Sequence, residues 1–228
     1  MSRQLALPVT LRDDAGFGNF LAAPESVAGQ ALALLRDRFL PGTLVCLWGG
    51  PGTGKSHLAR ASCRYYPHAL YLPLGALRDC VPEQVFADLD NLNLLALDEL
   101  DAVAGRDDWD LALFALHNRL LERGGRLLTT ARMPPRELPL RLPDLRSRLI
   151  AGYGFGLAEY DDAHCLEILR FRAARLGLSL GPEAGRYLLH RAPRDLASLM
   201  DCLDRLDHAA LAHQRQLTVP FIKQVFGW

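Results

Sequence analysis

The sequence predicts an α/β fold in which a parallel five-stranded sheet is covered by helices on both faces, followed by a smaller all-helical domain. Three observations carry this. Short apolar runs alternate with stretches of helical periodicity through the first two thirds of the chain. A glycine-rich loop, GGPGTGKS, joins one such run directly to a helical stretch. After about residue 160 the strand pattern stops and only helical patterns follow.

Residues 1–20 are irregular, with Gly16, Gly18 and the phenylalanines Phe17 and Phe20. Pro24-Glu25-Ser26 then leads into VAGQALALLRDRF, a helix ending at Pro41-Gly42. TLVCLW (43–48) is a short apolar run bounded by glycines and reads as a buried strand. After the glycine loop and its helix come three more strands: HALYLPL (68–74), LNLLALDEL (92–100) and GRLLTTAR (125–132). DDWDLALFALHNRLLERG, between the last two, has helical spacing and a glycine stop. GYGFGLAEY (152–160) completes the sheet. Four helical segments follow: DDAHCLEILRFRAARLGL, GPEAGRYLLHR, APRDLASLMDCLDRLDHAALAHQR and TVPFIKQVF. The expected division is a tail over 1–20, an α/β nucleotide-binding domain over 21–158 and a helical lid over 159–228.

Composition narrows the function. The 228 residues are enough to bury a full core, and 26 basic residues balance 26 acidic ones. A protein whose main task is wrapping nucleic acid would be basic, so direct DNA binding is not expected to be strong. The five cysteines form no C-x-x-C pair and the seven histidines no metal spacing, which leaves reduced thiols as the expectation. No apolar run approaches the roughly 18 residues of a membrane span, and no leader pattern opens the chain, so a cytoplasmic protein without membrane partners is expected. Only Lys55 and Lys223 are lysines among many arginines. A lysine kept in such a chain marks a place arginine does not fill.

Lys55 sits in Gly49-Gly50-Pro51-Gly52-Thr53-Gly54-Lys55-Ser56, a full G-x-x-x-x-G-K-[ST] match, followed by His57. Glycines let several backbone N–H groups converge on one phosphate, and the helix start adds its positive dipole end. Lys55 is expected to reach the β- and γ-phosphates and Ser56 to offer its hydroxyl to Mg²⁺. LLALDEL places Asp98 and Glu99 at a strand end, where Asp98 would hold the Mg²⁺ shell through water and Glu99 would orient or deprotonate the attacking water. ATP or ADP with Mg²⁺ is the implied cofactor. Phosphoryl transfer also calls for an arginine, and Arg148 in PDLRSRLIAGYG and Arg194 in APRDL are candidates, although spacing alone favours a surface ion pair for each.

As a set, GGPGTGKSHL, LLALDEL, LLTTARMPPREL, PDLRSRL, APRDL and LTVPFIKQVF resemble, in this order and over nearly the whole chain, the AAA+ module of the DnaA-related family, and most nearly its shorter Hda-type branch, the regulatory inactivators of DnaA. The resemblance implies an AAA+ P-loop NTPase core with a helical lid. It makes Arg148 the finger given in trans to a neighbour's ATP and Arg194 the lid arginine that senses nucleotide in cis. It also implies a role for Gln4-Leu5-Ala6-Leu7-Pro8: peptides of this type dock in the groove of the DNA polymerase III β sliding clamp. Gln4 would bind at the rim while Leu5, Leu7 and Pro8 fill the pocket, and at about 0.8 kcal/mol per buried CH₂ this supports roughly micromolar affinity.

The resemblance therefore implies a negative regulator of replication initiation, with DnaA and the clamp as partners and a second copy of the chain as a further one. Departures from DnaA bear on this. The chain ends at Trp228 without a basic helix-turn-helix domain, and PLGALRDCVPEQVFADLDN carries only Arg78 as a basic residue where DnaA-type proteins hold single-stranded DNA. Ala131 stands where a polar or acidic sensor is usual, which predicts slow intrinsic ATP turnover even with Asp98 and Glu99 intact. The alternatives are a self-acting AAA+ ATPase such as a helicase loader, a DnaA-like DNA-binding factor, and a pure adaptor that recruits DnaA to the clamp.

Overall fold

The computed structural model describes residues 15–38, 40–193, 195–213 and 217–228. They divide into two compact units: one holds the described residues up to Gly49 together with Gly54–Leu157, the other Gly50–Thr53 and Ala158–Trp228.

The first unit is a five-stranded parallel sheet in which β1 (Leu44–Trp48), β2 (Ala69–Pro73), β3 (Leu94–Asp98), β4 (Arg126–Ala131) and β5 (Tyr153–Gly156) lie in the order β2-β3-β4-β1-β5. Sequence reading predicted these strands and their parallel pairing. Successive residues face opposite layers, so each strand feeds two cores. Val45, Leu47, Leu94, Ala96 and Leu128 pack under α1 (Val27–Arg36) and α2 (Lys55–Tyr65) with Leu58 and Ala59. Leu44, Cys46, Leu95, Leu97 and Leu127 pack on the other face with Leu116, Leu120 and the fully buried Trp109. That layer comes from two single turns, α3 (Leu74–Leu77) and α4 (Pro82–Val85), from α5 (Asp107–Glu122) and from α6 (Pro143–Ala151).

Local chemistry sets the ends. Ser26 caps α1 by accepting the Gly29 N–H at 3.0 Å. Gly54, at φ 91°, turns the chain into α2. Edge strand β5 is shorter than the 152–160 run suggested. It is held close to β1: a Cβ at Gly152 would come within 2.8 Å of Leu44, and Cβ atoms at Gly154 and Gly156 within 2.8 and 2.9 Å of the Trp48 ring.

In the second unit, α7 (Asp162–Arg175), α8 (Pro182–Arg191), α9 (Leu196–His213) and α10 (Val219–Phe226) enclose a core of Leu169, Leu188, Leu203, Leu206 and Ile222. Asp161 caps α7 through the His164 N–H at 2.8 Å, and Thr218 caps α10. No helix among the described residues is long and apolar enough to cross a membrane.

Candidate functional site

The parallel sheet brings the C-terminal ends of β1, β3 and β4 side by side, and the chemistry-bearing residues follow those ends. Trp48 is in register with Ala131, and the Gly49 N–H donates to the Ala131 carbonyl at 3.3 Å, which fixes the start of the glycine loop against β4. At the other end of the loop, Gly54 in its left-handed conformation turns the chain into α2. Lys55 and Ser56 are the first two residues of that helix. The Lys55 ammonium donates to the Gly49 carbonyl at 2.8 Å, closing the loop on itself. Partial burial holds this lysine below its ordinary pKa of 10.5; Asp98 and Asp101 oppose the shift and Arg132 adds to it. Gly50–Thr53 are counted with the second unit, where the Thr53 hydroxyl donates to the Gly50 carbonyl at 3.0 Å and the Tyr160 hydroxyl to the Thr53 carbonyl at 3.3 Å.

The two carboxylates differ. Asp98 ends β3 and is only 3% exposed. The Tyr71 hydroxyl donates to its Oδ2 at 2.5 Å and the Thr130 hydroxyl to its Oδ1. Glu99 is exposed and sits in the left-handed region, at φ 61° and ψ 48°. Its N–H donates to Thr130 Oγ1 at 3.1 Å, and its carboxylate lies against Gly75. A charged residue held in a sparsely populated conformation at the end of a central strand points to a functional constraint.

Arg148 lies on α6 and is exposed. Its helix is set by a buried carboxylate: Asp110, only 1% exposed, accepts the N–H groups of Gly105, Arg141 and Leu142, the last two just ahead of α6. Leu145 and Leu149 bury the inner side of that helix, and Arg148, three residues after Leu145, stands exposed at the flank of that face. Its charge, after burial, helps keep His117 on α5 below the usual histidine pKa, against the pull of Asn118.

The structure therefore gathers Gly49, Gly54, Lys55, Ser56, Asp98 and Glu99 within one unit, and Arg148 stands exposed on α6 of the same unit. Arg194 and the peptide residues Gln4, Leu5, Leu7 and Pro8 lie outside the described residues. His57, the third residue of α2, has Nε2 3.1 Å from the Gly16 carbonyl and its ring 5.7 Å from that of Phe20.

Sequence reading missed several neighbours of the site. Tyr71 reaches Asp98 from β2, and Arg60 on α2 reaches the Tyr71 hydroxyl. Arg132 follows β4 directly, pairs with Asp101 at 3.6 Å and is felt by Lys55. The signal for Arg132 was its position one residue past the strand end, next to the alanine that had been singled out.

The residues fit a nucleotide with its metal ion. The loop offers backbone donors beside a lysine, and a buried carboxylate stands near the helix start that carries Ser56. Mg²⁺ is commonly held by one or two protein oxygens together with phosphate and water. No group of three His, Cys, Asp or Glu residues suited to a metal is found among the described residues.

Comparison with known proteins agrees with this architecture. Residues 161–226 match the family model of the Hda lid domain. The fold is similar to domain III of the replication initiation protein DnaA of Thermotoga maritima, at 19% identity and a TM-score of 0.75 over 96% of this chain and 98% of that one. It is also similar to AMPPCP-bound DnaA from Aquifex aeolicus, at 18% identity and a TM-score of 0.69 over 90% of this chain and 70% of that one. The Holliday junction branch migration motor RuvB of Thermotoga maritima is more distant, at 16% identity and a TM-score of 0.56 over 81% and 61%. The chain thus joins a C-terminal segment that matches the Hda lid domain to a core whose fold is similar to that of DnaA domain III.

Proposed function

We propose that this protein is a negative regulator of chromosomal replication initiation that stimulates ATP hydrolysis by DnaA. The observation that carries the reading is the exposed Arg148 on a helix anchored by Asp110, in a chain whose lid is of the Hda type. In this reading Gln4, Leu5, Leu7 and Pro8 tether the protein to the DNA-loaded sliding clamp and raise its concentration near initiator molecules. Arg148 then enters the ATP site of DnaA and completes charge stabilisation in the transition state, leaving ADP-DnaA.

The protein's own nucleotide, ADP or ATP, is held by Gly49–Ser56, with Lys55 on the phosphates and Arg194 sensing it from the lid. Ser56 and Asp98 hold Mg²⁺, which supplies charge neutralisation at the phosphates when bound. Arg132 brings a further cation to the end of β4.

The test is phosphate release in a mixture of loaded clamp, ATP-DnaA and this protein. Arg148→Ala is expected to retain clamp binding and to lose the stimulation, a fall of about 10³-fold or more if the finger acts in full. Changing Gln4, Leu5 and Leu7 to alanine is expected to abolish clamp binding and to leave stimulation by excess free protein intact. Unchanged stimulation by Arg148→Ala refutes the finger and leaves an adaptor. A second reading, a self-acting ATPase, draws on the Asp98-Glu99 pair with Glu99 in its constrained conformation. It predicts rapid phosphate release by this protein alone and a gel shift with single-stranded DNA.

A further inference from the structure

We propose that Tyr71 is a positioning residue that fixes the Asp98 carboxylate relative to the glycine-loop helix, acting together with Arg60. The inference rests on the nucleotide reading above and concerns residues that make no direct contact with phosphate in that reading. Tyr71 stands on β2 in register with Ala96, is 6% exposed, and donates its hydroxyl proton to Asp98 Oδ2. Arg60 on α2 donates from Nη2 to the same hydroxyl oxygen at 3.2 Å, with its guanidinium carbon 5.1 Å from the Tyr71 ring centroid.

The order of donors decides the geometry. A hydroxyl has one proton and two lone pairs. When Arg60 occupies a lone pair of Tyr71, the Tyr71 proton is left for Asp98. Thr130 repeats the device on the other oxygen: its Oγ1 accepts the Glu99 N–H and gives its proton to Asp98 Oδ1. Each carboxylate oxygen therefore receives one hydroxyl whose direction is set from behind, and the group cannot rotate without breaking both bonds. Their remaining lone pairs keep one direction.

Arg60 lies five residues after Lys55 and four after Ser56 on the same helix. A covalent helix followed by two hydrogen bonds thus connects the groups assigned to the phosphates and the metal with the carboxylate that completes the set. Removing the Tyr71 hydroxyl frees one side of Asp98 and leaves Lys55 and the loop unaltered.

The experiment is equilibrium binding of a fluorescent N-methylanthraniloyl-ADP to the full chain, in Mg²⁺ and in EDTA, with the ratio of the two affinities as the readout. The parent chain is expected to bind more tightly in Mg²⁺. Tyr71→Phe is expected to reduce that magnesium enhancement by about tenfold, the scale of one lost hydrogen bond to a charged group, with the EDTA affinity changed by less than about twofold. A purely structural role lowers both affinities together, and that outcome overturns the proposal, as does a magnesium enhancement that survives intact.

If Tyr71→Phe fails to melt cooperatively, Arg60→Met is the second variant. It keeps the apolar stem, releases the Tyr71 hydroxyl to rotate, and is expected to lower the enhancement by roughly threefold, the lower end of a neutral hydrogen bond's effect; an unaltered ratio overturns the proposal. A parent chain with equal affinity in the two buffers overturns it too, while leaving the nucleotide reading in place. A parent chain that binds in neither buffer, indistinguishable from Lys55→Ala, overturns both.

Discussion

Replacing Gly54 with alanine probes the turn on which the glycine loop enters its helix. Gly54 has φ 91° and ψ 4°, and a Cβ added there would lie 2.6 Å from Phe20 Cε2 and 3.3 Å from Cζ. Two costs follow. Holding an L-residue in the left-handed region takes about 1–2 kcal/mol. Forcing a methyl into a packed contact takes about 1–3 kcal/mol, because the Phe20 ring, half-buried beside His57, must swing away. Their sum centres on about 3.5 kcal/mol, which for a chain of this size lowers Tm by roughly 7–14 °C. The assay is thermal melting followed by circular dichroism. It is run on Gly54→Ala, Phe20→Ala and the double variant, because the cycle separates the two costs. Against a Phe20→Ala background the steric part disappears and only about 1–2 kcal/mol should remain. A Gly54→Ala protein that melts within about 2 °C of its parent would refute the account of the turn.

Other expectations follow from the same geometry. Burial lowers the Lys55 pKa from 10.5, and a lower pKa means that the proton leaves at a lower pH. Nucleotide affinity, present while Lys55 is charged, is therefore expected to decline on the alkaline side before pH 10.5, as read by binding titrations across pH. Glu99→Gly relieves a left-handed strain of about 1–2 kcal/mol against a glycine entropy cost of about 0.5–1 kcal/mol, so the variant should melt slightly higher than its parent. Its own phosphate release should meanwhile fall by about 10²–10⁴ if Glu99 handles the water proton. Burial pushes the Cys46 thiol up to about 11 and the Cys63 thiol up to about 12, so both should escape iodoacetamide at neutral pH until the chain unfolds, as mapped by mass spectrometry.

What could be read from the sequence was what neighbours in the chain decide. The loop Gly49–Ser56 is recognisable because one turn of backbone does the work, and all its parts lie within eight positions. The central strands β1, β3 and β4 were visible as apolar runs, since strands buried on both faces need no polar alternation. Strand order was not readable: β1 lies between β4 and β5, a choice made by packing between segments some eighty to a hundred residues apart. The partners of Asp98 were hidden for the same reason, Tyr71 being 27 residues upstream and Thr130 32 residues downstream. The segment PDLRSRLIA was noticed for its arginines, although Leu145 and Leu149, four apart and both buried, already marked the helical face that packs inward. The single turns α3 and α4 are too short for any periodicity to show.

The glycines of the last strand set a limit on how this sequence can drift. At 152, 154 and 156 the backbone of β5 lies flat against Leu44 and the Trp48 indole, and any methyl there would sit inside another atom's radius. Tyr153 and Phe155, pointing the other way, carry no such restriction. Substitution across this stretch is therefore permitted at every second position only, and enlarging the indole's neighbours would first require shrinking the indole.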